Sequence, residues 1–266
     1  MRAFLLADNL AVRREVFEQT VMSNSNSALE IEHLNKRYGD HVVLKDINLS
    51  IDQGEYIGLV GVNGAGKTTL IKSVLDFISF DSGKIEIFGK SHNQTSSRES
   101  LSFLPEKFIP PYYLTGESFL SYMGELNQVE STKEGIEELF NILDLELSAL
   151  KKSVRQFSKG MAQKLGLAAC FLSQRPMMLF DEPMSGLDPK ARAYLKNHLI
   201  NLKAMGTTLF FSTHLLADVE SICDRIIILH DGKVFFNGTP AQCCQDFQAE
   251  SLEQAYLRCI GATANL

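Results

Sequence analysis

The chain has 266 residues, of which 45% are hydrophobic and 22% are charged, a composition typical of a globular protein with one large domain or two small ones. Its 26 lysine and arginine residues stand against 32 aspartate and glutamate residues, which gives a net charge of −6. This balance excludes a collagen-like or disordered chain and argues against a broad nucleic-acid-binding face, which would need an excess of basic residues.

Residues 1–27 differ from the rest of the chain. Four apolar residues recur at roughly helical spacing, namely Leu6, Leu10, Phe17 and Val21, and a polar stretch at 23–27 follows them. Three interpretations remain open. The segment is a frayed extension, a helix that docks on a partner, or a misassigned start with true initiation at Met22.

From residue 28 the hydrophobic pattern becomes regular. Alternating and short apolar runs predict strands at 29–33, 42–51, 56–60, 84–88 and 101–104. The polar stretch at 91–100 predicts a surface loop. Residues 115–173 show helical periodicity with few strand signals.

Strands and helices alternate in the last third of the chain. The pattern predicts a strand at 177–180, a helix at 189–204, a strand at 207–212, a helix at 215–222 and a strand at 225–230. Asp231 and Gly232 then predict a hairpin turn into a strand at 233–236. Ser251 and Gln254 have the spacing of a capping box at the start of a final short helix. Such alternation indicates an α/β fold, with a parallel sheet covered by helices.

Two further observations concern the compartment. The five cysteines are odd in number and lack CxxC spacing, so free thiols in a reducing compartment are expected. No apolar run approaches the roughly 20 residues that span a bilayer, and the apolar run at 3–7 is shorter than a secretory signal. We therefore expect that any membrane role depends on a partner.

A phosphate-binding loop is the strongest motif. Residues 61–69 match G-x-x-x-x-G-K-[ST], after an apolar strand and before an apolar-periodic stretch. Backbone N–H groups and a helix N-terminus would face phosphate oxygens, Lys67 would reach the β- and γ-phosphates, and the Thr68 hydroxyl would ligate Mg²⁺. The candidate binding residues are Gly61, Asn63, Gly64, Ala65, Gly66, Lys67, Thr68 and Thr69.

Two adjacent acids end the apolar strand at 177–180. Buried carboxylates are costly unless a cation or a reaction uses them. Asp181 is therefore a candidate Mg²⁺ ligand, and Glu182 is a candidate to orient or deprotonate the water that attacks the γ-phosphate.

With these motifs in this order, the chain resembles the ATP-binding subunits of ABC transporters over about residues 28–260. Residues 157–161, Phe-Ser-Lys-Gly-Met, are similar to the family signature LSGGQ and to its exporter-type branch. Ser158 is also a good N-cap for the helix that follows. The resemblance implies that Ser158 and Gly160 donate hydrogen bonds to the γ-phosphate bound by a second copy.

Other positions carry further implications of the resemblance. Tyr38 lies where the family stacks an aromatic ring on adenine, and His214 lies where a histidine contacts the γ-phosphate. Residues 185–189 resemble the loop that crosses to the partner's site. Glu106 replaces the usual glutamine that senses Mg²⁺ and the attacking water, so it is a candidate metal ligand. Together with Lys67, Glu182 and His214 form the implied catalytic set.

The resemblance also implies an architecture and partners. The expected fold is a P-loop NTPase core with a mainly parallel sheet, an antiparallel β subdomain, and a helical subdomain at about 105–173. The expected domain spans 28–260, with an extension at 1–27 and a tail at 261–266. ATP and Mg²⁺ would be bound between two head-to-tail copies. A separate polytopic permease at the cytoplasmic side of the cell membrane would export an unknown solute.

Three points stay open. The apolar and aromatic stretch at 108–114 is either core or a groove for a helix of the membrane subunit. The rival function is a soluble ABC-type ATPase that acts on ribosomes or DNA, although such proteins usually carry two such domains or a coiled-coil insertion. A non-hydrolysing nucleotide sensor is the other rival, against which Glu182 and His214 argue.

Overall fold

The structure is a computed structural model that describes residues 26–261. Its strands are β1 (Ser27–Tyr38), β2 (His41–Asp52), β3 (Tyr56–Val60), β4 (Ser82–Ile87), β5 (Lys90–Ser91), β6 (Leu101–Leu104), β7 (Met177–Asp181), β8 (Thr208–Thr213), β9 (Arg225–His230) and β10 (Lys233–Gly238). Its α-helices are α1 (Lys67–Val74), α2 (Thr95–Arg98), α3 (Gly116–Asn127), α4 (Lys133–Ile142), α5 (Lys159–Leu172), α6 (Pro189–Ala204), α7 (Leu216–Ile222), α8 (Pro240–Asp246) and α9 (Leu252–Cys259).

The strands form two sheets. An antiparallel sheet has the order β2-β1-β4-β5, and a six-stranded sheet has the order β10-β9-β3-β8-β7-β6. In the larger sheet every neighbouring pair is parallel except β9 and β10, which form the hairpin expected at Asp231 and Gly232. This architecture confirms the predicted α/β fold with a mainly parallel sheet and an antiparallel one.

The central strands of the larger sheet, β3, β7, β8 and β9, are buried on both faces because they are apolar on both faces. Along β3, Ile57 and Leu59 belong to a core shared with the antiparallel sheet and α1. Tyr56 and Val60 point to the opposite face, into a core shared with the other helices. Strands covered on both sides need such continuous apolar runs. Because β3, β8 and β7 are parallel neighbours, their carboxyl ends meet at one edge of the sheet, where the motif residues lie.

The helical middle segment, predicted for 115–173, contains α3, α4, α5 and two short 3₁₀ turns. Each α-helix begins at a hydroxyl N-cap, which is Thr115, Thr132 and Ser158 respectively. Across the described residues, every helix is too short or too polar to cross a membrane. Residues 1–25 and 262–266 lie outside the part of the chain that the structure describes, so the interpretations of the N-terminal extension and of the tail stay predictions.

Two local predictions were wrong in detail. Residues 91–100 are not simply a surface loop, since they include the end of β5 and all of α2, and Ser97 and Ser100 are buried. The Ser97 hydroxyl donates to the Gln94 carbonyl at 2.7 Å, so a polar side chain is satisfied inside the turn without solvent. Gln254 does not complete a capping box with Ser251, because its side chain accepts from the backbone N–H of Glu250.

Candidate functional site

The loop between β3 and α1 is shaped by its glycines. Gly66 is the N-cap of α1 with φ +109°, a conformation that L side chains rarely adopt. A Cβ atom on Gly61 would lie 2.4 Å from the carbonyl oxygen of Leu229, so no side chain fits there. The loop therefore turns tightly and presents the N-terminus of α1 to a cavity, an arrangement suited to anions.

The cavity has a volume of about 480 Å³. It brings together elements that are far apart in sequence, namely the loop, β2, the end of β7, the residue after β8 and the segment after β6. Its lining residues are Val43, Val62, Asn63, Gly64, Gly66, Lys67, Thr68, Thr69, Glu106, Asp181, Glu182, Ser185 and His214. All the expected metal and catalytic residues are in this set.

Lys67 is buried in the loop itself. Its Nζ donates to the Gly61 carbonyl at 2.6 Å and to the Val62 carbonyl at 3.3 Å, and it lies 4.0 Å from Glu182 Oε1. Burial lowers the pKa of Lys67, and the neighbouring carboxylates, that of Glu182 first, oppose this shift. Phosphate oxygens would therefore compete for the Lys67 ammonium group with the loop carbonyls that it already contacts.

Asp181 is buried at the end of β7 and receives two side-chain hydrogen bonds. Thr68 Oγ1 donates to Asp181 Oδ2 at 2.9 Å, and Ser212 Oγ donates to Asp181 Oδ1. Hydroxyl and carboxylate oxygens fit Mg²⁺, which usually takes one or two protein ligands and completes its shell with phosphate and water oxygens. Within residues 26–261 there is no cluster of three or more His, Cys, Asp or Glu side chains placed to hold a metal ion.

Glu182 and His214 form a pair at the mouth of the cavity. His214 Nδ1 lies 2.9 Å from Glu182 Oε2, and the side chain of Glu182 is 11% exposed while that of His214 is 55% exposed. Glu182 has φ +50°, a left-handed conformation that is strained for a residue with a Cβ atom. A carboxylate in this position can accept a proton from a water at the phosphate end of the cavity.

Several expected residues lie away from the cavity. Ser158 caps α5, where its Oγ accepts from the Met161 backbone N–H at 3.2 Å, and Gly160 packs against Gly186 so closely that a Cβ would be 2.9 Å from the Gly186 carbonyl oxygen. Tyr38 is 51% exposed, with Lys36 Nζ 4.7 Å from its ring centre. Gly61 and Ala65 shape the loop but are not part of the lining.

Sequence reasoning missed the contributions of Val43, Val62 and Ser212 to the site. Val62 stood inside the motif, and its 46% exposure follows from the outward turn of the loop. Val43 belongs to the other sheet, and local patterning does not say which of its residues approaches the loop. Ser212 was assigned only to a strand, although a hydroxyl near the end of an apolar run was an available signal.

The chain is similar in sequence to known proteins. The family model described as ABC transporter matches residues 44–185. An uncharacterized ABC transporter ATP-binding protein of Synechocystis sp. is 39% identical over 75% of this chain. This chain covers only 57% of that relative's length. A lantibiotic transport ATP-binding protein of Streptococcus pyogenes is 32% identical over 77% of this chain and 88% of its own length.

Two solved structures have the same fold. One, an ATP-binding subunit of an ABC transporter, has a TM-score of 0.79 and 32% identity and covers 87% of this chain and 99% of its own. The other, a dimeric bacterial ABC transporter cassette, has a TM-score of 0.72 and 22% identity over 79% of this chain and 98% of its own.

Proposed function

The chain belongs to the ABC transporter family, as an ATP-binding subunit, and we propose that it binds ATP with Mg²⁺ in the 480 Å³ cavity and hydrolyses it. The observation that carries this proposal is the meeting of Lys67, the Thr68–Asp181 pair and the Glu182–His214 pair at the N-terminus of α1. These are the groups that phosphoryl transfer to water requires.

Binding of the triphosphate rests on the loop. The N-terminus of α1 and Lys67 supply positive charge, and phosphate oxygens replace the carbonyls of Gly61 and Val62 as partners of Lys67 Nζ. Thr68 and Asp181 would hold Mg²⁺, which neutralises phosphate charge when bound. The exposed Tyr38 ring is the proposed platform for adenine.

Hydrolysis rests on Glu182. Its carboxylate orients the attacking water and accepts the proton as the water oxygen bonds to the γ-phosphorus, while the bond to the bridging oxygen breaks and ADP leaves with phosphate. His214 orients the carboxylate through the 2.9 Å contact. As a residue of the cavity lining, it would also contact the γ-phosphate. Glu106 lines the same cavity and adds a third carboxylate, after those of Asp181 and Glu182, that can accept from water or bind the metal.

A second copy of the chain would complete each site. Ser158 and Gly160 lie at the N-terminus of α5, a 14-residue helix, outside the cavity of their own chain. We propose that they donate to the γ-phosphate held by a head-to-tail partner, whose charge is neutralised fully only when both copies meet. The dimeric state of a cassette with the same fold supports this arrangement.

The membrane partner is proposed from an exposed surface. Within the stretch at 108–114, Phe108 packs against the core, whereas Ile109, Tyr112 and Tyr113 are 87%, 68% and 73% exposed. Exposed aromatic side chains in a cluster are typical of interfaces. We propose that this patch docks a separate permease at the cytoplasmic side of the membrane, for export of an unknown solute. The name of the lantibiotic relative supports a role in transport.

The proposed activity is tested with the purified full chain. Wild-type protein should release phosphate from ATP with Mg²⁺, and Lys67→Ala should weaken ATP affinity by about 10- to 100-fold because a charge-assisted contact is lost. Lys72→Ala is the matched control, since Lys72 is an exposed residue of the same helix. Equal ATP affinity of the two variants would contradict the assignment. Co-purification with ribosomes in place of a permease would favour the rival function.

A further inference from the structure

Ser212 makes hydrogen bonds to the two adjacent acidic residues of the site, Asp181 and Glu182. It is fully buried near the end of β8 and lies directly across the parallel ladder from Asp181. Its Oγ donates to Asp181 Oδ1 and accepts from the backbone N–H of Glu182 at 3.0 Å. One hydroxyl group thus acts as donor to one acid and as acceptor from the other.

The first of these bonds determines the orientation of the Asp181 carboxylate. Thr68 occupies Oδ2 and Ser212 occupies Oδ1, so the carboxylate cannot rotate without breaking a bond to a buried group. Asp181 is 3% exposed, and water would not readily replace a lost donor. Leaving a buried carboxylate oxygen without a hydrogen-bond donor costs free energy. Without Ser212 Oγ, the Asp181 carboxylate would rotate until it accepts from another donor.

The second bond supports the strained turn at Glu182. The left-handed φ of +50° directs the carboxylate of Glu182 away from the line of β7 and toward His214. The Glu182 N–H is within reach of both the Ser212 hydroxyl at 3.0 Å and the Ser212 carbonyl at 3.2 Å. Strained backbone of this kind persists only where the surroundings determine it.

We propose that Ser212 is a positioning residue that sets Asp181 for Mg²⁺ and Glu182 for the attacking water at the same time. The inference rests on the proposed ATPase function of this cavity. Ser212 does not line the cavity, so it acts through Asp181 and Glu182 on turnover and on the response to Mg²⁺. It leaves the affinity for the phosphates alone, because Lys67 and the loop provide that affinity.

The test compares Ser212→Ala with Ser102→Ala in the full chain. Ser102 is also buried in a strand of the same sheet, and its hydroxyl donates to the Cys170 carbonyl at 3.3 Å, away from the cavity. Steady-state phosphate release gives kcat and KM. Binding of a fluorescent ATP analogue without Mg²⁺ measures the affinity that the phosphate-binding loop provides. The Mg²⁺ dependence of that binding, in a Glu182→Gln background that prevents turnover, measures the affinity of the metal site.

Ser212→Ala should lower kcat by about 10- to 100-fold, the effect of losing a hydrogen bond to a charged group. It should also raise the Mg²⁺ concentration for half-maximal nucleotide binding several-fold, while Mg²⁺-free affinity stays within about twofold. Ser102→Ala should match the wild type in all three measurements. A Ser212→Ala kcat within twofold of the wild type, or an equal loss of Mg²⁺-free affinity, would overturn the inference. A wild type that neither binds nor hydrolyses ATP would contradict the proposed function itself, and the inference with it.

Discussion

Replacing Gly66 with alanine should damage both the fold and the nucleotide site, whereas the same replacement at Gly64 should do so far less. Both glycines have left-handed backbones, φ +109° and +87°, which cost an L residue about 1–2 kcal/mol. They differ in their surroundings. A Cβ on Gly66 would lie 2.9 Å from Leu44 Cδ2 and 3.0 Å from the Val43 carbonyl oxygen, whereas a Cβ on Gly64 meets nothing within 4 Å.

Overpacking adds about 1–3 kcal/mol, so Gly66→Ala should lower the free energy of unfolding by about 2–5 kcal/mol against about 1–2 kcal/mol for Gly64→Ala. Since the chain has no tryptophan, urea unfolding followed by far-ultraviolet circular dichroism is the appropriate assay. Gly66 is also the N-cap of α1, which begins with Lys67 and Thr68, so ATP affinity should fall with stability at this position. Equal destabilisation by the two variants would refute the steric reasoning.

Two further predictions concern Glu182, the proposed general base, and His198, a half-buried histidine. Glu182→Gln should lower kcat by about 10²- to 10⁴-fold, because an amide does not accept the proton, yet it should still bind ATP and accumulate dimer in size-exclusion chromatography with ATP; an unchanged rate of phosphate release would count against this role. Burial lowers the pKa of His198 to about 4. As the pH falls, His198 therefore takes up its proton in the unfolded chain before it does so in the folded chain. The free energy of unfolding is unaffected by this histidine above about pH 6.5 and decreases as the pH falls toward 4. Between pH 7 and pH 5 the wild type should lose about 2 kcal/mol more unfolding free energy than His198→Phe, and parallel pH profiles would show that His198 does not titrate in this way.

The elements that sequence predicted well are those whose limits are set locally. Strand β3 has the predicted bounds because a buried apolar run ends at the glycine loop. Helix α6 also begins and ends as predicted. Asp188 caps it by accepting from the Ala191 backbone N–H at 2.9 Å, and Pro189 suits the first turn.

The parts that sequence did not predict depend on which strands become neighbours. The bond between Ser212 and Asp181 exists because β8 lies beside β7 in register, and no local pattern contains that information. The same holds for Val43, which reaches the cavity from the other sheet. The left-handed conformation of Glu182 could not be predicted from sequence either, because glutamate, unlike glycine or asparagine, does not indicate a positive φ.

The roles of Ser158, Gly160 and Tyr38 stay predictions for a different reason. They lie outside the cavity of their own chain, so the proposed contacts of the two signature residues require a second copy. Gln163 of α5 is buried, and its Nε2 donates to the Pro183 carbonyl at 3.2 Å, next to Glu182 in the chain. This bond would connect the surface offered to a partner with the acid of the chain's own site.

Mixing two inactive variants tests most directly whether the working site is shared between copies. Ser158→Ala and Glu182→Gln should each hydrolyse ATP poorly alone. In a mixed dimer, however, one site takes Glu182 from the first variant and Ser158 from the second, and so is intact. With random pairing, half of the dimers are mixed and one of their two sites works, so an equimolar mixture should recover up to about a quarter of wild-type activity. A mixture no more active than its components, together with wild-type turnover that does not depend on protein concentration, would contradict a site built from two copies.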